Sequence, residues 1–566
     1  MSETLRRIRI CVPMAIALWV LAGTHPSANS PIQRVLLISI DGMHELDFEN
    51  CVAARTCRNL ERLGQTGVSY KHTSTSKPSD SFPGLVALIT GGTPKSTGIY
   101  YDVAYDRVLA PPKVDTGNGL LHGDCHAGRI NGTRTEYEEG VDIDQSKLGG
   151  GHVYLDPLDG DYQSINADRL PRDPFSNPHG CDPVYPWNFI RTNTIYGVLH
   201  ARHFLTAWSD KHAVYAAVSG PTGTSLPSNL DDYYSPDVNS TVQNLPGVTT
   251  ATHVSCDPLP DPINDDYTRS FDDIKCYDQL KVNAVLHWID GETHLGHSQL
   301  PGVPALFGMN FQSVSVGQKL IENHVKGGYT DAAGTPTPQM RGEIEYVDAA
   351  IGQMIAELKK QKLYDSTAII VTAKHGQSPV DTHLFFPIPG ASPMNNGTPP
   401  SGLLGPSFLP DSEINQIGPT EDDISILWLT DSRQTDSAVN IIQDHAEEAG
   451  AAQIFSGRTL AQMFDQPGLP GQGDPRTPDI IVQPRVGVVY TSSKAKQAEH
   501  GGFAPNDVEV MVLVSNPHIQ AKTLGTPVET RQVAPTILSL LGVDPNLLDA
   551  VRLEGTQVLP GIQFKQ

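Results

Sequence analysis

Five short stretches of this chain carry side chains able to do chemistry. Asp41 closes an apolar run in Ser39-Ile40-Asp41-Gly42-Met43. Ser81 lies in Lys77-Pro78-Ser79-Asp80-Ser81-Phe82-Pro83, and His375 in Lys374-His375-Gly376. Asp290 and His294 belong to Trp288-Ile289-Asp290-Gly291-Glu292-Thr293-His294, and His500 to Glu499-His500-Gly501-Gly502. Carboxylate oxygens and imidazole nitrogens converging from separate strand ends are the donors that Zn²⁺ or a similar ion requires. A serine hydroxyl is a poor nucleophile until its pKa is lowered, as a metal does for a bound oxygen. Each stretch also has a plainer reading. Asp-Gly after a strand is a common turn, a histidine at a strand end is often a satisfied surface group, and Asp-Ser-Phe-Pro is an ordinary capped helix start. The joint occurrence, rather than any one member, points to a site.

The elements that must position these residues are legible in the periodicity. Val35–Ile40 is a continuous apolar run, as expected of a buried strand ending in a turn. Phe82–Thr90 reads as a short helix stopped by Gly91-Gly92. A nucleophile at its start would gain from the helix dipole, which favours a developing anion. Met340–Leu363 is amphipathic, with Ile344, Val347, Ile351, Ile355 and Leu358 at helical spacing. Ala368–Ala373 is a strand leading straight into Lys374, and Ile424–Thr430, Asp479–Val482 and Val508–Ser515 are further strands. Thr435–Glu448 and Thr530–Leu541 read as helices. Asp290 and His294, four apart, share one face if a helical turn runs through them. The alternation predicts an α/β sandwich with a mostly parallel sheet, whose ligands bind beyond the carboxyl ends of the strands.

From Val103 to about Pro260 the periodicity weakens and Gly, Pro, Asp and His accumulate, which predicts an insertion with its own short elements. Its aromatics and those just before it (Tyr100, Tyr101, Tyr105, Trp187, Phe189, Trp208) either stack a nucleobase or pack a core. Asp210-Lys211-His212 invites a catalytic reading, but the sequence supplies no partner for it.

The chain has 566 residues, 39% hydrophobic, with 63 acids against 40 Lys+Arg and a net charge of −23. That balance excludes a coiled coil, a collagen-like fibre and a multi-span membrane protein. With no Lys/Arg tract, a nucleic-acid backbone is disfavoured as a partner by simple repulsion. Arg6, Arg7 and Arg9 precede the apolar Ile10–Gly23 and then small or polar residues, the order of a secretory signal over residues 1–30. The apolar run is shorter than the roughly 20 residues that span a bilayer. The expected location is therefore secreted, periplasmic or extracellular, with no membrane attachment after signal removal. Six cysteines remain: Cys51, Cys57, Cys125, Cys181, Cys256 and Cys276. An even number in an exported chain predicts three disulfides, and nearest-neighbour pairing is the expectation among the fifteen possible connectivities. Sequons for N-glycosylation begin at Asn131, Asn239 and Asn396.

In order along the chain, the Asp41 stretch, the block around Ser81, Thr90-Gly91-Gly92-Thr93-Pro94-Lys95-Ser96-Thr97-Gly98-Ile99, Asp290-x-x-x-His294, Lys374-His375-Gly376, His500-Gly501 and Val533-Ala534-Pro535-Thr536-Ile537-Leu538 resemble the type I phosphodiesterase/nucleotide pyrophosphatase family of the alkaline phosphatase superfamily. The resemblance covers roughly residues 31–105 and 280–560. It implies an alkaline-phosphatase-like three-layer sandwich, with one catalytic domain over residues 31–566 and residues 103–260 as an insertion or lid. It further implies a secreted, metal-dependent hydrolase of phosphodiester or pyrophosphate bonds, acting on a small phosphate ester such as a nucleotide through a phosphoryl-serine. Ser81 would be the nucleophile. One ion would be held by Asp290, His294 and His500, and the other by Asp41, the Ser81 oxygen and His375, with Zn²⁺ the expected metal.

Two positions depart from the family pattern. Lys374 stands where the family carries a metal-binding Asp, and Asp102 where nucleotide pyrophosphatases carry an Asn at the substrate phosphate. Both are assigned to substrate binding, with Asp102 expected to supply the missing charge to the second ion or to pair with Lys374. Two ions are implied, or one if the ammonium takes a cation's place. A phosphomonoesterase of the same superfamily and a catalytically silent secreted binding protein are the alternatives. A sulfatase is discounted, because Ser81-Phe82-Pro83-Gly84-Leu85 lacks the Arg of the formylglycine motif.

Overall fold

The apolar run Val35–Ile40 becomes an interior strand of a sheet covered on both faces. It forms β1 (Arg34–Ile40), whose Val35 and Leu37 face one apolar cluster while Leu36, Ile38 and Ile40 face another. The structure, a computed structural model, describes residues 31–116, 119–138, 141, 165–262, 266–390, 397–410 and 416–565. The expected signal at residues 1–30 and the sequon at Asn396 lie outside the described residues.

Five further strands complete the sheet: β2 (Gly67–Tyr70), β3 (Leu306–Phe311), β4 (Thr367–Thr372), β5 (Val512–Ser515) and β6 (Lys522–Leu524). Their order is β3-β1-β4-β5-β2-β6. β5 alone is antiparallel to its neighbours, so the sheet is mixed but mostly parallel. Helices α1 (Ser81–Thr90) and α4 (Val533–Leu540) pack on one face; α2 (Asp273–Ile289) and α3 (Pro338–Lys360) pack on the other. This is the α/β sandwich that the periodicity predicts, in the three layers that the family resemblance implies. Helix α1 begins at Ser81 and stops at Gly91, whose φ of 78° is the left-handed cap that glycine adopts freely.

The expected strands at 424–430 and 479–482 form a separate small sheet, Ser425–Leu427 and Ile480–Pro484 with Ala451–Ser456. The expected strand at 508–515 is shorter, because Pro505–Val508 makes a helical turn first.

Much of the segment between Val103 and Pro260 is built into the main core. The short strand Ala207–Trp208 is bridged to β3 at Thr206–Leu306 and Ser209–Met309. Trp187, Phe189 and Trp208 are buried in the cluster that contains α1, while Tyr100 and Tyr101 pack beside the small sheet, with Tyr105 partly buried against them. All but Tyr105 are buried in core packing.

The disulfides are Cys51–Cys57, Cys125–Cys181 and Cys256–Cys276, the nearest-neighbour pairing. Among the described residues no helix is long and apolar enough to cross a membrane.

Candidate active site

Register alone places the first three site residues. Ile40 pairs with Phe311, and Ser39 with Thr372. The chain therefore leaves the sheet with Asp41, Gln312 and Lys374 side by side at its carboxyl edge. Helix α1 then lies directly across the end of β4. A Cβ at Gly84 would sit 2.3 Å from the Lys374 carbonyl oxygen, so only glycine permits this approach. The Thr75 hydroxyl donates to the same carbonyl at 2.5 Å. On the far side, the Ser79 N–H donates to the Gly501 carbonyl at 3.1 Å, which brings the His500 loop against the serine loop.

Ser81 is the first residue of α1, and the N-cap Asp80 accepts the Phe82 N–H at 3.1 Å. Its Oγ lies 3.1 Å from His375 Nε2 and accepts a hydrogen bond from Lys211 Nζ at 3.0 Å. His375 Nδ1 is 2.8 Å from the Gly376 carbonyl oxygen. A carbonyl can only accept, so Nδ1 carries the hydrogen and Nε2 of the neutral ring keeps its lone pair. The Ser81 O–H therefore points at an acceptor while its oxygen faces an ammonium. The His500 ring lies 4.0 Å from that of His375, and its Nδ1 is 3.6 Å from Asp80 Oδ1.

Beneath the serine, Asp41 Oδ2 accepts hydrogen bonds from Gln312 Nε2 at 2.7 Å and Asn310 Nδ2 at 3.1 Å, with Lys374 Nζ at 3.5 Å and His375 Nε2 at 3.6 Å. Lys374 is fully buried. Its Nζ lies 2.9 Å from Asp210 Oδ1 and 4.5 Å from the centre of the Tyr215 ring. Asp210 also accepts the Lys211 N–H at 2.9 Å and the Trp208 indole N–H at 3.1 Å.

Burial opposes ionisation of Asp41, yet Lys374, His375 and Lys211 hold its carboxyl well below the usual range. Burial pushes Asp80 up to about 6, with Lys211 working against the rise. Burial, and then His375, hold His500 well below the ordinary histidine value.

Of the residues singled out from the sequence, Asp41, Ser81, Lys374, His375 and His500 thus converge. Asp102 lies next to them, its backbone N–H bonded to Asp80 Oδ2 at 3.1 Å. The expected Asp102–Lys374 pairing is replaced, because the carboxylates in ion-pair contact with Lys374 are Asp210 and Asp41.

Asp290 and His294 do not reach the site. Helix α2 ends at Ile289, and Gly291, at φ 76°, turns the chain away, so the two residues share no helical face. Asp290 is exposed and bonded to Gln361 Nε2 at 2.5 Å, at the point where α3 leads back to the start of β4. His294 Nδ1 is bonded to Asp232 Oδ1 at 2.8 Å. Asp232 pairs with Ala207, level with the first residues of β3, whereas Asp41 lies beside its last. At about 3.3 Å per residue the two levels are about 15 Å apart along the strands.

Sequence reasoning passed over Asn310 and Gln312, and it noted Asp210 and Lys211 without finding the partners that the structure gives them, Lys374 and Ser81. An available signal was the Asp210-Lys211 pair one residue past the apolar Ala207-Trp208.

The donor set does not fit the expected pair of ions. Two of the six ligands are at the opposite edge, and an ammonium occupies the place of a carboxylate. Asp41 Oδ2 is taken by two amide N–H groups. Among the described residues no group of three or more His, Cys, Asp or Glu side chains is arranged to hold a metal.

The profile of the type I phosphodiesterase/nucleotide pyrophosphatase family matches residues 35–123 and 190–506, well over half of the chain. The chain belongs to this family. It is a phosphoric ester hydrolase of the phosphodiesterase type. The match includes residues 190–260, part of the stretch that the sequence resemblance left out. No curated protein sequence matches.

Among solved structures, murine ectonucleotide pyrophosphatase/phosphodiesterase 5 shares the fold at a TM-score of 0.52 and 13% identity, over 91% of this chain and 96% of that one. Another structure of the murine protein, an inactive form in complex with AMP, aligns at 0.51 with 13% identity and the same coverage. Alkaline phosphatase PafA aligns at 0.53 with 13% identity, over 92% of this chain and 97% of its own. These establish the alkaline-phosphatase-like fold.

Proposed function

We propose that this family member hydrolyses small phosphodiesters or pyrophosphates of the nucleotide class through a covalent phosphoryl-serine on Ser81. One observation carries the reading: the Ser81 hydroxyl sits at the start of α1, directed at His375 Nε2, with the Lys211 ammonium on its oxygen. The family match supports phosphate esters as the substrate class, and AMP bound by the murine relative is consistent with a nucleotide.

In the first half-reaction Ser81 Oγ attacks phosphorus and its proton passes to His375 Nε2. The Oγ–P bond forms as the bond to the leaving oxygen breaks, and the leaving oxygen takes a proton from solvent. Water, losing a proton to solvent, then displaces the serine from phosphorus, and His375 returns its proton to Ser81 Oγ, releasing the phosphate product and restoring the hydroxyl. Charge developing on the phosphoryl oxygens meets the α1 N-terminus and the Lys211 ammonium, both fixed before the reaction begins. His375 cannot swing to its other tautomer without losing the Gly376 carbonyl, so the acceptor stays aimed at Ser81. Export is part of the proposal, supported by the residue order at positions 1–30 and by the three disulfides.

The test is release of nitrophenol from nitrophenyl-TMP beside nitrophenyl phosphate. The diester should be preferred, and Ser81→Ala should lose at least about 10³-fold in kcat. Preference for the monoester would make the chain a phosphatase. Turnover unaffected by Ser81→Ala would remove the serine mechanism.

A further inference from the structure

The mismatch between the donor set and a metal pair has a positive side. We propose that this site works on phosphate without a metal ion: Lys374 fills the place beside Asp41 where an ion would stand, and Lys211 supplies the positive charge that meets the phosphoryl oxygens at Ser81. The inference rests on the hydrolase reading for its chemistry but is separable from it by experiment.

The role of Lys374 follows from its surroundings. It enters from β4 at the carboxyl edge, one residue before His375, and is completely buried. A buried ammonium needs compensation, and Asp210 at 2.9 Å and Asp41 at 3.5 Å provide it. Tyr215 closes the remaining side with its ring face, 4.5 Å away. A divalent cation beside Asp41 would meet this ammonium at close range and would have to displace the amide N–H groups of Asn310 and Gln312 from Oδ2. Asn310 Oδ1 and Asp41 Oδ1 have no hydrogen-bond partner among the described residues, but two oxygens beside a fixed positive charge make a poor cation site. At His500 the nearby ammonium groups of Lys319 and Lys211 add further repulsion.

Lys211 differs in being half-buried, with its Nζ at the reacting oxygen instead of beneath it. Its backbone N–H is held by Asp210, the carboxylate that also holds Lys374. Asp210 therefore fixes the height of both lysines. A phosphoryl group attached to, or approaching, Ser81 Oγ brings its non-bridging oxygens to the ammonium, which as a compact point charge with three donors can follow them through the displacement.

The experiment combines metal analysis of the purified full chain with calorimetric titration of inorganic phosphate, before and after exhaustive chelation. Substoichiometric zinc, manganese, magnesium and calcium are expected, with phosphate affinity unchanged by the chelator. Lys211→Met should weaken phosphate at least about tenfold, and Lys211→Arg should stay within about threefold of wild type, since it keeps the charge. Lys211 is partly exposed, so the Met variant is expected to fold; an unchanged near-ultraviolet dichroism spectrum checks that.

A stoichiometric ion whose removal abolishes phosphate binding would overturn the proposal, as would Lys211→Met binding phosphate like wild type. The two readings separate cleanly. A chelated chain that binds phosphate but cleaves neither nitrophenyl ester keeps this inference and loses the hydrolase; cleavage that requires added zinc does the reverse.

Discussion

His375 with Asp41 and His294 with Asp232 are both buried imidazole–carboxylate groupings, one at each edge of the same sheet, and they differ in what they leave unfinished. At the amino edge the carboxylate and the imidazole answer each other. Asp232 takes the His294 Nδ1 and backbone N–H and the Trp288 indole N–H, while the His294 ring stacks on Tyr234 at 4.8 Å. At the carboxyl edge Asp41 Oδ1, Asp80 Oδ1 and His500 Nδ1 are buried with no hydrogen-bond partner among the described residues. Buried polar atoms are normally paired, so orphans gathered round a serine mark a place built for something that comes and goes. A saturated pair holds the fold together; an unsaturated one does chemistry.

The sharpest way to break this comparison is to truncate both histidines. His375→Ala should lower kcat about 10²- to 10⁴-fold with the fold intact. His294→Ala should leave kcat within about threefold yet cost about 1–3 kcal/mol of stability, because Asp232 is left buried and short of a partner. Esterase kinetics beside urea denaturation read both, and a reversed outcome would dissolve the distinction.

Asp210 belongs to both categories, since it satisfies Lys374 and positions Lys211. Its removal strands a buried ammonium. Asp210→Ala should cost about 3–5 kcal/mol in the same denaturation experiment, with hydrolysis falling as well. A loss under about 1 kcal/mol would mean that Lys374 is not held as an ion pair.

Glu45 extends the contrast to a carboxylate with too little compensation. Burial, then Glu49, push it up to about 8 against a weaker pull from Lys71, where Asp41 four residues earlier is held down by its cations. The unfolded group releases its proton near 4.5 and the folded one near 8, so the folded chain holds the extra proton between them. Stability from this group is therefore full below about 4.5 and falls as pH rises through about 8. Glu45→Gln should flatten that fall by about 1–3 kcal/mol, seen as urea midpoints that differ less between pH 5 and 8.5 than in wild type. The smallest effect expected is at Asp290: Asp290→Asn should change stability by less than about 0.5 kcal/mol and leave kcat alone, as an exposed cap should. A large loss of activity there would return it to the site.

The strands at Val35–Ile40 and 368–373, the helix start at Ser81 and the placing of Asp41 and His375 at strand ends were readable because each rests on local pattern, whereas β2, β3 and β6, half of the sheet, went unread. The same habit misplaced Asp290 and His294. Their spacing suits a helix face, but whether helix α2 continues past Ile289, and at which edge it stops, is decided by packing against α3 and by the Gly291 turn. Asp210 and Lys211 were discounted for the converse reason, since their partners Lys374 and Ser81 lie 164 and 130 residues away along the chain.

By itself, then, the sequence determined the α/β class, the family, the serine at a helix N-terminus and the presence of an ammonium where a carboxylate was expected. Only the tertiary structure decided what answers that ammonium and which histidines share the serine's edge. Strand register sets Asp41 beside Gln312 and Lys374, and a short strand nearly a hundred residues from its neighbour β3 delivers Asp210 and Lys211. Charge pairing in a buried site depends on distances of a few ångströms, which periodicity along a chain does not encode.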